Sequence, residues 1–212
     1  MVHKSLHNRK YTNLYAIGLS IFLFMLTLCL NLCKTIVCCS LLFTFLAFTI
    51  NGITIVQGSK KAFSITLLCI GISFTLLYSK PYCIHGKPID GIVLASYLSL
   101  WLASLVGVKA FLKLRPYYSF PVSNGISLGI YALVDGLAMS VFFTAKFPIS
   151  RVLLIAYKEI QYKSIFSFFL CFTLFMIWYY KTFLERRFLM LSGFIRKAFF
   201  LKKAHKLIKG LL

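Results

Sequence analysis

The chain has 212 residues, of which 60% are hydrophobic and only 13% charged, and its mean hydropathy is +0.86. Soluble domains carry about 25% charged residues, so this composition excludes an ordinary soluble domain and leaves room for one bundle of membrane spans. The net charge of +20 comes from 24 Lys plus Arg against four acids, Asp90, Asp135, Glu159 and Glu185; because the basic residues punctuate apolar runs instead of forming a soluble face, they argue for a lipid bilayer as partner and against nucleic acid.

A spanning helix needs about 20 mostly apolar residues. The runs that qualify are Leu14 to Leu32, Ile36 to Val56, Ala62 to Tyr78, Ile89 to Leu112, Phe120 to Ala145, and Ser164 to Phe183. The first follows a basic start (Lys4, Arg9, Lys10), as a signal peptide would. It is longer than the ~7–15 apolar residues of a cleaved segment, and no small-residue cleavage pattern follows, so it reads as a helix. Residues 147–163 are neither apolar enough to span nor polar enough for a plain loop. They read as a connection, or as the first turns of a long sixth helix.

Basic residues set the orientation. With the N-terminus inside, seventeen Lys and Arg fall on inner segments and seven on outer ones, which favours both ends in the cytoplasm. The expected fold is therefore all-α, six transmembrane helices, N-in and C-in. Residues 1–185 form the transmembrane domain. Residues 186–212 form a basic amphipathic tail, where pairs such as Arg186-Arg187 and Lys202-Lys203 alternate with apolar clusters, suited to an anionic inner leaflet.

The polar groups inside the runs are the candidate functional residues. Asp135 falls near the middle of the fifth run, where a carboxylate costs roughly 2.5–3.5 kcal/mol on insertion scales and faces a cavity or a partner. At helical spacing it shares a face with Asn124, Ser127, Tyr131, Ala138 and Phe142. Ser40, Thr44, Ala47, Asn51 and Thr54 make a matching stripe on the second helix. Ser96, Ser99, Ala103 and Gly107 on the fourth read as close-packing residues. Asn51-Gly52-Ile53 and Asn124-Gly125-Ile126 repeat a triplet, too short to establish a repeat. Seven cysteines, at 29, 33, 38, 39, 69, 83 and 171, lie mostly in apolar runs without a Cys-x-x-Cys pair and read as small apolar residues. Scattered histidines and the absence of any metalloprotease, nucleophile-elbow or phosphate-loop pattern leave no catalytic residue, metal site or cofactor to assign. The chain does not read as an enzyme.

Three stretches resemble one family. They are Asn31 through Phe43-Thr44-Phe45 and Asn51 to Gly58 and Ala62; Ala95-Ser96-Tyr97 through Phe111 and Leu114-Arg115; and Ser127 to Phe143 with Leu133-Val134-Asp135, followed by Lys163. In order and spacing they are similar to the queuosine precursor transporters, six-span vitamin-uptake-like bacterial proteins, over roughly residues 15–185. The chain departs from that pattern at Asn51 (usually Asp), Ile55 (commonly Glu), Gln57 (usually Tyr), Ser104 and Gly107 (Gln and Asp), and Gly136 (Thr). The resemblance implies a multi-pass protein of the bacterial inner membrane that imports a 7-deazapurine, namely queuine or its aminomethyl- or cyano-deazaguanine precursors, for tRNA modification. The substrate-binding residues it points to are Asp135, Asn51, Asn31, Lys163, Tyr131, Phe43 and Phe45, with Asp135 accepting from the adjacent N–H donors of the guanine-like edge. The alternatives are a substrate-capturing subunit of a multi-subunit vitamin transporter and a non-transport membrane scaffold. A homodimer is left open. Transport predicts a polar cavity at Asp135 open to one side, whereas a scaffold predicts Asp135 clamped to a neighbouring helix.

Overall fold

The computed structural model describes the backbone of residues 2–77, 83–84, 87–88 and 91–209, and the side chains of residues 14–77 and 91–184. The described residues form six helices: α1 (Val2–Leu32), α2 (Ile36–Gln57), α3 (Ser59–Leu77), α4 (Ile92–Leu114), α5 (Phe120–Thr144) and α6 (Ile149–Lys209). Each carries a stretch long and apolar enough to cross a membrane: 14–32, 36–57, 59–77, 92–114, 120–144 and 149–184. A minimal antiparallel pair, β1 (Cys83–Ile84) with β2 (Lys87–Pro88), lies in the connection from α3 to α4.

Local chemistry sets the helix ends. The Thr35 hydroxyl caps α2 by accepting from the Cys38 N–H at 3.4 Å. Pro121 occupies the first turn of α5, where its missing N–H costs nothing. The Pro148 carbonyl accepts from the N–H groups of Arg151 and Val152 and opens α6. The links 33–35, Gly58, 115–119 and 145–148 are short, one to five residues, so the helices they join run antiparallel.

The sixth helix begins at Ile149, not at Ser164. Of the basic residues assigned to an outer connection there, only Lys146 lies in the turn; Arg151, Lys158 and Lys163 are helical. The tail side chains, 186–212, lie outside the described residues, and so does the reading of that tail as amphipathic.

The chain divides into two units. Met1–Cys171 contains α1 to α5 and the first part of α6; Phe172–Leu212 is helical through Lys209. In the first unit α4 packs along α5 and α1 along α2. Leu23, Leu46, Ile50, Leu100, Val108 and Leu128 interlock in its main core, and Ile92, Phe143 and Val152 form a smaller one where α4 and α6 begin and α5 ends. Large apolar side chains such as Ile21, Leu68, Leu102 and Val141 point outward, as hydrocarbon requires.

The hydroxyls of the spans mostly turn back on their own helices. Thr27, Thr44, Thr54, Thr66 and Ser104 each donate to the carbonyl four residues earlier, at 2.7–2.9 Å. The polar stripe of α2 therefore satisfies itself at Thr44 and Thr54, and Asn51 is the residue that reaches another helix.

Candidate functional site

Asp135 sits in α5 nine residues before the helix ends at Thr144, about 14 Å along the axis. Lys163 lies fourteen residues into α6, about 21 Å from its start. The antiparallel pairing of α5 and α6 brings the two together. Gly136 makes that approach feasible: a Cβ there would stand 2.8 Å from Cγ1 of Ile160 on α6. This is the position where the family resemblance expects Thr.

The Lys163 ammonium donates to Oδ2 of Asp135 and to Oε1 of Glu159, one turn earlier on its own helix. It also stands over the Phe43 ring, 4.2 Å from the centroid, a desolvated cation–π contact of about 2 kcal/mol. Ser99 on α4 donates to the other Asp135 oxygen at 2.6 Å. Asp135 and Lys163 are almost wholly buried. An ion pair taken out of water at this depth is tolerable only because each oxygen and the ammonium find partners.

These groups form the inner end of a cavity of about 650 Å³. Its walls are the end of α1 (Leu30, Asn31), the start of α2 (Cys39, Phe43), the start of α4 (Ser96, Ser99), the end of α5 (Met139, Phe143) and the start of α6 (Ile155, Glu159). All are the helix ends on the side of the α1–α2, α3–α4 and α5–α6 connections. Lys34, Arg151 and Lys158 belong to the rim, and Arg151 stacks over Phe147 at 5.3 Å.

Asn31 is 8% exposed, lines the cavity, and its side-chain amide nitrogen has no hydrogen-bond partner. The Tyr97 hydroxyl and Ser73 stand beside it on α4 and α3.

The opposite half of the bundle is closed. Asn51, six residues from the end of α2, donates to Oδ1 of Asn124 at 2.8 Å and to Ser127 Oγ at 3.2 Å. The Tyr131 hydroxyl donates to Asn51 Oδ1 at 3.4 Å, and Ser127 donates to the Gly107 carbonyl at 2.9 Å. The Tyr131 ring lies flush on Gly107, where a Cβ would come within 2.2 Å of it. Three helices are thereby locked by side chains buried from all sides.

Of the residues read from the sequence, Asp135, Lys163, Asn31 and Phe43 come together around one cavity. Asn51 and Tyr131 do not line it and belong to the clamp below it. Phe45 is 36% exposed on the far face of α2 and reaches neither. Ser99, read as a packing residue, is a direct partner of Asp135. Glu159 went unassigned. Its signal was the Glu-x-x-x-Lys spacing to Lys163, which favours an ion pair once the segment is helical. Among the described residues no group of three or more His, Cys, Asp or Glu side chains is placed to hold a metal ion.

Compared with protein-family models, curated proteins and solved structures, the chain gives no match.

Proposed function

We propose that this chain is a transporter of the bacterial inner membrane that imports a 7-deazaguanine precursor of queuosine: queuine or its aminomethyl or cyano precursor. One observation carries the transport reading. A cavity of about 650 Å³ penetrates one half of the bundle and ends on a buried carboxylate, while the other half is sealed by Asn51, Asn124, Ser127 and Tyr131. A volume of this size suits a small ligand. One half open and the other sealed is what alternating access requires of a binding site near the midplane. With the N-terminus inside, as the charge count has it, the cavity faces outward. The choice of a deazaguanine rests on the sequence resemblance and on chemistry: Asp135 can accept from two adjacent N–H donors, beside Phe43 and Asn31. Lys163 tunes that carboxylate and does not replace it.

The ion pair itself favours a second reading, a scaffold in which Asp135 only fastens α5 to α6 and α4. The two readings separate in one experiment. Cells without their own uptake route express the chain alone and are given labelled queuine. Transport predicts saturable uptake that is lost in an inserted Asp135→Ala variant. No uptake by the parent chain overturns the transporter, and full uptake by Asp135→Ala overturns the site.

A further inference from the structure

We infer that Glu159 makes this cavity a site for a ligand bearing one positive charge, an amine in its ammonium form on a flat apolar body, and that Glu159 is the residue that selects it. The inference takes its choice of ring from the transport reading above. The charge follows from the geometry alone.

Charges at the inner end do not balance. Two carboxylates, Asp135 and Glu159, share one ammonium, Lys163, which donates to both. One negative charge is left over in a region where side chains are largely removed from water: Lys163 and Asp135 are almost fully buried, and the Glu159 side chain is 17% exposed. At low dielectric an unbalanced charge calls for a counter-charge.

The carboxylate oxygen left without a hydrogen bond belongs to Glu159. Ser99 takes one oxygen of Asp135 and Lys163 the other. Lys163 takes Oε1 of Glu159, and among the described residues Oε2 receives no hydrogen bond. Glu159 lines the cavity, so an entering N–H donor reaches it directly.

A second, independent feature points to a ligand in the same space. Asn31 is more than nine-tenths buried, forms part of the wall, and keeps an amide nitrogen without a partner. A buried donor left unpaired costs roughly 1–3 kcal/mol, which an acceptor on the ligand would recover. The site thus asks for a cationic donor at Glu159 and a neutral acceptor, such as a ring carbonyl, at Asn31. Phe143 and Phe147 supply apolar wall between them and the mouth.

The three rim cations do not cancel this demand. Lys34, Arg151 and Lys158 are exposed, and exposed charges are screened within about 8 Å at physiological salt. Lys158 precedes Glu159 by one position, about 100° around the helix, and is exposed at the rim. The rim governs entry, while the unbalanced carboxylate governs what is held.

The test uses two matched pairs of probes on the full chain in proteoliposomes: aminomethyl- against cyano-7-deazaguanine, read as uptake, and benzylamine against benzyl alcohol, read as the shift in melting temperature. Each pair differs in the cation and little else. A charge-assisted contact is worth about tenfold or more over a neutral one, so the aminomethyl compound should be preferred at least about tenfold. Glu159→Gln, which keeps an oxygen for Lys163 and leaves Asp135 and Lys163 balanced, should bring that ratio close to one. Glu159→Asp, which keeps the charge, should retain the preference and shows that the charge, not the shape, selects. If neither deazaguanine is carried but benzylamine still stabilises over benzyl alcohol in a Glu159-dependent way, the deazaguanine reading fails and the inference stands. Equal response to both members of each pair, a preference unchanged in Glu159→Gln, or no response to any probe overturns it.

Discussion

The side-chain amide of Asn51 donates to Oδ1 of Asn124 at 2.8 Å, so the two Asn-Gly-Ile triplets of the chain meet between α2 and α5. The contact lies in the half of the bundle away from the cavity. Interhelical hydrogen bonds in membranes average about 0.6 kcal/mol, but removing Asn51 strands the Asn124 carbonyl oxygen and the Tyr131 hydroxyl in a buried place. Asn51→Ala should therefore cost about 1–3 kcal/mol, measured by unfolding in lipid nanodiscs. A loss below about 0.5 kcal/mol would mean the contact does not hold the helices.

Gly107 and Tyr131 give a second stability prediction. A methyl at 107 collides with the Tyr131 ring, and overpacking of this kind costs typically 1–3 kcal/mol. Gly107→Ala should lower the melting temperature, and the same change made in a Tyr131→Ala background should cost much less. Additive losses in the double variant would show that the clash is not the cause.

Lys163 is the one cation between two carboxylates, and its removal leaves both uncompensated. Lys163→Met should be among the most damaging of the single changes named here, on the order of 3–5 kcal/mol. Combining it with Asp135→Asn and Glu159→Gln should restore much of the stability while abolishing uptake. A triple variant no more stable than Lys163→Met would place the loss in packing instead of charge.

Neighbouring phenylalanines on α2 should behave differently. Phe43 carries Lys163 on its ring and lines the cavity, whereas Phe45 faces outward. Phe43→Ala should lose about 3–5 kcal/mol of packing and reduce uptake severalfold. Phe45→Ala should stay within about 1 kcal/mol and transport normally. Equal effects on uptake would remove Phe43 from the site.

Accessibility reads out which half is open. In a background without the native cysteines, Ser96→Cys should react with a membrane-impermeant maleimide added outside intact cells. Asn124→Cys should not. The reverse pattern would invert the proposed orientation of the cavity.

Much of this was legible in the sequence. The apolar runs placed five of the six spans within a few residues, because hydrocarbon demands length and apolarity and little else. Asp135 stood out as an ionisable group that a bilayer tolerates only with partners, while Lys163 entered only through the family resemblance. The start of α6 was obscured for the same reason that it matters. Lys158, Glu159 and Lys163 make residues 147–163 look too polar to span, and only the three-dimensional pairing of Lys163 with Asp135 and Glu159 removes that objection. Ser99 was hidden because a serine at small-residue spacing looks the same whether it packs or donates. Tyr131 shared a face of α5 with Asp135, and Asn51 lay on the matching stripe of α2, but a helix face runs the whole depth of the membrane, and the cavity occupies only part of it.

Sharing Lys163 between α5 and α6 also bears on how the protein enters the membrane. During synthesis α5 emerges first, carrying Asp135 with its partner still unmade, a liability of roughly 2.5–3.5 kcal/mol in lipid. Helix α6 brings its own remedy, since Glu159 neutralises Lys163 one turn away before any neighbour is met. The two helices are therefore expected to leave the insertion machinery as a hairpin, with α5 retained until the lysine arrives.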